Sequence, residues 1–107
     1  MASSKEYLDF ILEQLSLLDG ITWRGMMREF IIYYQGKIIG GIYDDRFLVK
    51  PLKSAIRMMP EARMEFPYDG GKAMILVDNV DDKEFLKQLL EEMYMELPEP
   101  KKRGDSI

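Results

Sequence analysis

The sequence contains no cysteine and no histidine. Without cysteine the chain forms no disulfide, holds no metal through thiolates and has no cysteine nucleophile. Without histidine it lacks the commonest general base and the commonest ligand of transition metals. A metal site would need carboxylates alone, which suit calcium or magnesium better than zinc. We therefore expect no catalytic residues, no metal site and no cofactor.

Long apolar runs are also missing. No stretch approaches the roughly 20 consecutive apolar residues that a membrane-spanning helix requires, so we expect no contact with a membrane. Residues 1–6 have no apolar segment of the kind found in signal peptides. This absence favours a cytoplasmic location.

The overall composition is that of one small globular domain. The chain has 107 residues, of which 47% are apolar and 32% are charged, a balance typical of folded proteins. We expect a single domain over residues 1–97 and a frayed tail over residues 98–107. The net charge of −4 makes a dedicated DNA-binding domain less expected, since such domains usually carry a basic face.

Apolar residues at helical spacing predict a helix at each end of the chain. The first begins near Ser3 or Ser4, either of which can cap it, and ends at Gly20. The last begins near Asp81, which has capping-box spacing to Glu84. The two apolar stripes are formed by Tyr7, Leu8, Ile11, Leu12, Leu15 and Leu18, and by Phe85, Leu86, Leu89, Leu90, Met93 and Leu97.

Between these helices the residue types change to those typical of strands. Turn signals at residues 35–36 and 44–45 predict an antiparallel meander of about three strands, with a possible fourth at residues 22–27. A short helix is expected over residues 52–59, a loop over residues 61–72 and a buried strand over residues 74–77.

These elements predict an α+β fold, a two-layer sandwich. An antiparallel meander of about four or five strands would be packed by the N- and C-terminal helices on one face. The opposite face of the sheet would have to be shielded by the loop, by a second copy of the chain or by side chains that tolerate water.

Two pairs of residues suggest a ligand-binding or catalytic role at first sight. Gly40 and Gly41 lie inside a predicted strand, where they would allow a ligand or partner to approach the backbone, but a bulge or close packing explains them more simply. Asp44 and Asp45 could serve as paired acids. They lie at a predicted hairpin tip, so the requirements of the turn are the simpler explanation.

The best candidate for an anion-binding patch is formed by Lys50, Lys53, Arg57 and Arg63, around the start of the short predicted helix. The alternative is an ordinary solvated helix face.

Aromatic residues and methionines suggest a second surface. Tyr34, Tyr43 and Met58 are candidates for a partner-binding or self-association surface, although filling of the core is the simpler role for such residues.

The order of these segments resembles the TfoX/Sxy N-terminal domain family. The resemblance lies in residues 26–36, with a methionine before a strand that ends in tyrosine and a glycine turn, and in residues 38–50. Phe66, Pro67, Tyr68, Met74 and the last helix follow in the expected order. The family usually has Phe-Gly-Gly after the first methionine, where this chain has Arg28 and Glu29 after Met27.

The resemblance implies a role in regulating competence-type genes through contact with the transcription machinery, and it brings no catalytic residues. Our leading hypothesis is a bacterial, non-catalytic interaction module that binds a protein partner or forms a homodimer. The first alternative is direct nucleic-acid binding through the basic patch. The second is a small-molecule-binding domain with its pocket beside Gly40 and Gly41.

Overall fold

The computed structural model describes residues 3–98. It confirms the predicted α+β class. The helices are α1 (Lys5–Gln14), α2 (Lys53–Met58) and α3 (Lys83–Glu96), and the strands are β1 (Ile21–Met26), β2 (Glu29–Tyr34), β3 (Lys37–Ile42), β4 (Phe47–Val49), β5 (Met64–Glu65) and β6 (Met74–Leu76).

The strands form one sheet in the order β1-β2-β3-β4-β6-β5, and every neighbouring pair is antiparallel. The sheet has six strands where four or five were predicted. The additional strand is β5, which lies within the segment predicted as a loop. Two residues are too few to show the alternation of apolar and polar side chains that identifies a strand.

The first three strand connections are tight two-residue turns. Both central residues of each turn have positive φ, which matches the type I′ turns that the twist of a hairpin favours. The values are 52° and 70° for Met27 and Arg28, 50° and 84° for Gln35 and Gly36, and 54° for both Asp44 and Asp45. Glycine therefore occupies only one of the six turn positions.

Side-chain caps define where the long helices begin. The hydroxyl of Ser4 accepts a hydrogen bond from the amide of Tyr7 over 3.1 Å at the start of α1. The carboxylate of Asp82 accepts one from the amide of Phe85 over 3.0 Å at the start of α3. The cap of α3 is therefore Asp82, and the prediction of Asp81 was wrong by one residue.

The helices cover one face of the sheet, and the core lies between the two layers. The predicted apolar stripes supply most of it: Leu8, Ile11, Leu15 and Leu18 from the N-terminal segment, and Leu86, Leu89, Leu90, Met93 and Leu97 from the C-terminal segment, are all buried. The sheet contributes side chains such as Ile32, Ile39, Phe47 and Val49. The tail predicted over residues 98–107 lies, apart from Pro98, outside the described residues.

The opposite face of the sheet is half covered. Leu48 alternates with two core residues and therefore points to this face, yet it is fully buried. The loop at residues 66–73 shields this half, with Pro67 buried and the ring of Tyr68 packed 6.2 Å from that of Tyr43. Toward β1 no described element lies over the face, and Ile31 and Tyr33 remain partly exposed there. We call this region the bare half of the sheet.

Candidate functional site

A groove of about 660 Å³ lies between the covering loop and the sheet. Ile38 and Gly40 of β3 form part of its floor, and Tyr68 lines it from the loop. The connection from β4 to α2 forms a further wall. Lys50 and Lys72 are the two charged residues among those that line it. A volume of this size is typical of sites for small organic ligands.

Backbone packing accounts for the glycine pair beside this groove. A Cβ atom on Gly40 would collide with the carbonyl oxygen of Leu48 and would lie 2.7 Å from the Cα of Val49. A Cβ on Gly41 would lie 2.6 Å from the carbonyl oxygen of Phe30. The pairing of β2 with β3 also shifts register beside this pair. The glycines thus satisfy the packing of neighbouring strands.

Asp45, the second of the paired acids at the hairpin tip, anchors the N-terminal segment. Asp45 accepts a hydrogen bond from the amide of Ser4 over 2.7 Å, and its own amide donates to the hydroxyl of Ser3 over 3.1 Å. The same hydroxyl donates to Glu29 over 2.7 Å. Both acids are exposed, so they do not share a closed cleft of the kind that acid–base chemistry uses. The bonds of Asp45 give it a structural role.

The predicted basic patch is partly neutralised by acids. Arg57 lies 3.4 Å from Glu92 of α3, and Arg63 lies 3.8 Å from Glu65 of β5. Lys53 is exposed on α2, whereas Lys50 is half-buried and lines the groove. The four cations therefore do not form a uniformly positive face among the described residues, and nucleic-acid binding stays a prediction.

The three residues predicted for a partner surface lie in different places. Tyr34 is only 7% exposed, because it faces the helices and packs against Tyr94 with ring centroids 5.3 Å apart. This corrects its placement on a surface, and the neighbour that faces the bare half is Tyr33. Tyr43 is half-buried and lines the groove. Met58 is partly buried against the core.

Arg46 holds the covering loop in position, a role that the sequence analysis missed. Its guanidinium donates to the carboxylate of Glu65 over 2.7 Å and to the carbonyl of Phe66 over 3.2 Å. A further bond of 3.0 Å reaches the carbonyl of Tyr43. These bonds tie the β3–β4 hairpin to the start of the loop. No local pattern around an isolated arginine could have identified partners about 20 residues away.

The free edge of β1 is a second feature, and it can pair with a strand of another chain. The amide of Gln35 donates to the carbonyl of Gly20 over 2.8 Å, and alternate residues of an antiparallel pair share such bonds. The backbone groups of Ile21, Trp23 and Gly25 must therefore point away from β2. No described residue pairs with this edge.

The part of the chain that the structure describes contains no cluster of three or more acids that could hold a metal ion. None of its helices is long and apolar enough to cross a membrane.

Comparison with known proteins finds similarity to an uncharacterised protein. The chain is 27% identical over 104 residues to an uncharacterized 12.7 kDa protein in the trpE 5′ region of Spirochaeta aurantia, and the match covers 96% of this chain and 90% of the relative. No family model matches, and no solved structure matches. The resemblance to the TfoX/Sxy N-terminal domains therefore stays a prediction.

Proposed function

We propose that this chain is a non-catalytic interaction module that pairs with a second copy of itself through the free edge of β1. The observation that carries the proposal is the row of outward-pointing backbone groups at Ile21, Trp23 and Gly25, beside the bare half of the sheet. Exposed strand edges are templates for pairing with another chain. The resemblance to TfoX/Sxy domains adds the expectation that such a module works in the cytoplasm, in gene regulation.

The sequence of β1 suits pairing with an identical strand. In a two-fold symmetric arrangement centred on Trp23, Ile21 lies opposite Gly25 of the second copy, Gly25 lies opposite Ile21 of the second copy, and Trp23 lies opposite itself. These three pairs would form about six hydrogen bonds. On the other face Arg24 lies opposite Thr22, so no two like charges oppose each other. Symmetric pairing of this kind closes after two subunits.

Side chains at the edge add apolar surface to this contact. Trp23 is 42% exposed and Met26 is 48% exposed. The ring of Trp23 packs edge-on against Phe30 at 5.6 Å, and the ammonium of Lys5 lies 5.7 Å from it. Aromatic and methionine side chains are enriched at protein interfaces.

A single proline substitution at the edge tests this proposal. Gly25→Pro removes an outward-pointing N–H, and proline is compatible with an edge strand at such a position. The matched control is Gly25→Ala, since a Cβ at this position meets nothing within 4 Å. Light scattering after size exclusion should show a dimer for the wild type and for Gly25→Ala, and a monomer for Gly25→Pro. A monomeric wild type, or a dimer that survives Gly25→Pro, would refute the pairing.

The absence of native cysteine allows a test of the register. The Cα atoms of a hydrogen-bonded antiparallel pair lie about 5.5 Å apart, which is within the range of a disulfide. Trp23→Cys should therefore cross-link into a covalent dimer under mild oxidation. Thr22→Cys should not, because position 22 faces position 24. Equal cross-linking of the two variants would contradict the symmetric register.

A further inference from the structure

We infer that the groove is a binding site for a small organic anion with a flat apolar body. This inference is independent of the proposed pairing, because it concerns the other half of the sheet's second face. It rests on the shape of the groove, on the charges that line it and on the bonds that hold its walls.

The charges of the groove are all of one sign. The residues that line it include Lys50 and Lys72 and no aspartate or glutamate. Neither lysine side chain forms a hydrogen bond or an ion pair with a described residue. This local positive charge occurs in a chain whose net charge is −4. By contrast, the acids Asp82, Glu84 and Glu91 line another surface depression, on α3.

The walls are apolar and aromatic. Tyr43 and Tyr68 present two rings at an interplanar angle of 61°, and Leu52 and Met74 add aliphatic surface. The backbone of Gly40 lines the groove beside Ile38. Lysine ammonium groups are compact point charges that suit a carboxylate or a phosphate. Together these features select a ligand with an anionic end and a ring-like body.

The groove is held open before any ligand binds. The hydrogen bonds of Arg46 to Glu65 and to the carbonyl of Phe66 fix the start of the covering loop. At the other end, the amide of Gly71 donates to the carbonyl of Tyr68 over 3.0 Å, in a turn where Gly70 has a φ of +83°. A preformed site loses less conformational entropy on binding. Arg46 is thus a positioning residue for the groove.

A probe series tests the charge requirement. 2-Naphthoate is the anionic probe, and 2-naphthalenemethanol and 2-naphthylmethylamine are its neutral and cationic counterparts of similar shape. Amide chemical shifts are followed by two-dimensional NMR during titration of the full chain. We expect 2-naphthoate to perturb residues 38–43 and 67–74 and to bind more tightly than the other two. Inorganic phosphate alone should bind weakly, since it lacks the apolar body.

Matched variants test whether 2-naphthoate binding depends on the lysines of the groove. Lys50→Gln and Lys72→Gln should each weaken 2-naphthoate binding about two- to five-fold, since an exposed ion pair contributes up to about 1 kcal/mol. The control Lys53→Gln removes an exposed lysine just outside the groove and should leave the affinity unchanged. Arg46→Gln should weaken binding of the anionic and neutral probes alike by loosening the loop.

Three outcomes would overturn the inference. They are an absence of shift changes in the groove at millimolar 2-naphthoate, equal affinity for the alcohol and the carboxylate, and an equal loss of affinity in Lys53→Gln and Lys50→Gln. Binding of the probe to a monomeric Gly25→Pro variant would separate this site from the proposed strand pairing.

Discussion

The ammonium group of Lys37 donates a hydrogen bond to the carbonyl oxygen of Leu97 over 3.1 Å, at the end of α3. It also donates to the carbonyl of Tyr94 over 3.3 Å and lies 4.0 Å from the centre of the Tyr94 ring. The last carbonyls of a helix lack partners within the helix, and the negative end of its dipole favours a cation. The first residue of β3 therefore caps α3, and this bond joins the two layers of the fold.

Replacing Lys37 with methionine should destabilise the protein. The substitution keeps an apolar stem of similar length but removes the donor, and hydrogen bonds that involve a charged group contribute about 1.5–3 kcal/mol. We expect a loss of about 2 kcal/mol in the free energy of unfolding, measured with urea. The control Lys53→Met, on an exposed position, should change it by less than about 0.5 kcal/mol. A loss no larger than that of the control would show that the cap is unimportant.

Gly40→Ala should be among the most damaging single substitutions in the chain. The added Cβ would meet the backbone of Leu48 and Val49, which cannot move without disturbing the pairing of β3 with β4. Overpacking of this kind costs about 1–3 kcal/mol or more. Thermal unfolding should show a large fall in Tm, whereas Gly25→Ala, which enters open space, should leave Tm unchanged or slightly raised. Similar Tm values for the two variants would contradict the packing argument.

The turn at Met27 and Arg28 offers a site for stabilisation. Both residues have positive φ, a conformation that costs most residues about 1–2 kcal/mol and that asparagine and glycine adopt readily. The double substitution Met27→Asn with Arg28→Gly should raise the free energy of unfolding by about 1–2 kcal/mol. Gln35→Asn, in a turn that already contains a glycine, should gain less. An unchanged urea midpoint for the double variant would argue against strain at this turn.

Ser54→Ala should be neutral or stabilising. The Ser54 hydroxyl is buried and has no hydrogen-bond partner among the described residues. Its removal ends the cost of burying an unpaired polar group, about 1 kcal/mol. Ser4→Ala should have the opposite sign, because it removes the cap of α1. Chemical denaturation of both variants checks the contrast, and destabilisation by Ser54→Ala would indicate a partner for the hydroxyl.

Alkaline pH should destabilise the protein partly through Tyr34. Burial, and then the nearby Glu91 carboxylate, raise the pKa of Tyr34 above its ordinary value of 10.0. Above pH 10 the unfolded chain releases this proton while the folded chain retains it, so the free energy of unfolding falls as the pH rises. Below pH 10 the contribution is fully present. In Tyr34→Phe, stability should decline less steeply between pH 10 and 11. Identical slopes would exclude a contribution from Tyr34.

Local patterns predicted much of the fold correctly. The apolar stripes of α1 and α3 repeat with the helical period, so they identify the buried faces without knowledge of partners. Tight turns require only adjacent residues, and for this reason the hairpins around Gly36 and Asp44 were predicted. The groove was predicted only as a pocket beside Gly40 and Gly41, without its walls.

The sequence by itself determined the helices, the hairpins around Gly36 and Asp44, the side of each long helix that is buried and the chemistry that the chain lacks, because these depend on neighbouring residues and on composition. Only the tertiary structure decided that Lys37 caps α3, that Arg46 holds the loop over the sheet and that Lys50 and Lys72 line the same groove. In each case the residues brought together lie about 20 or more positions apart in the sequence. Such pairs leave no periodic signal, since their proximity is set by the packing of the whole chain.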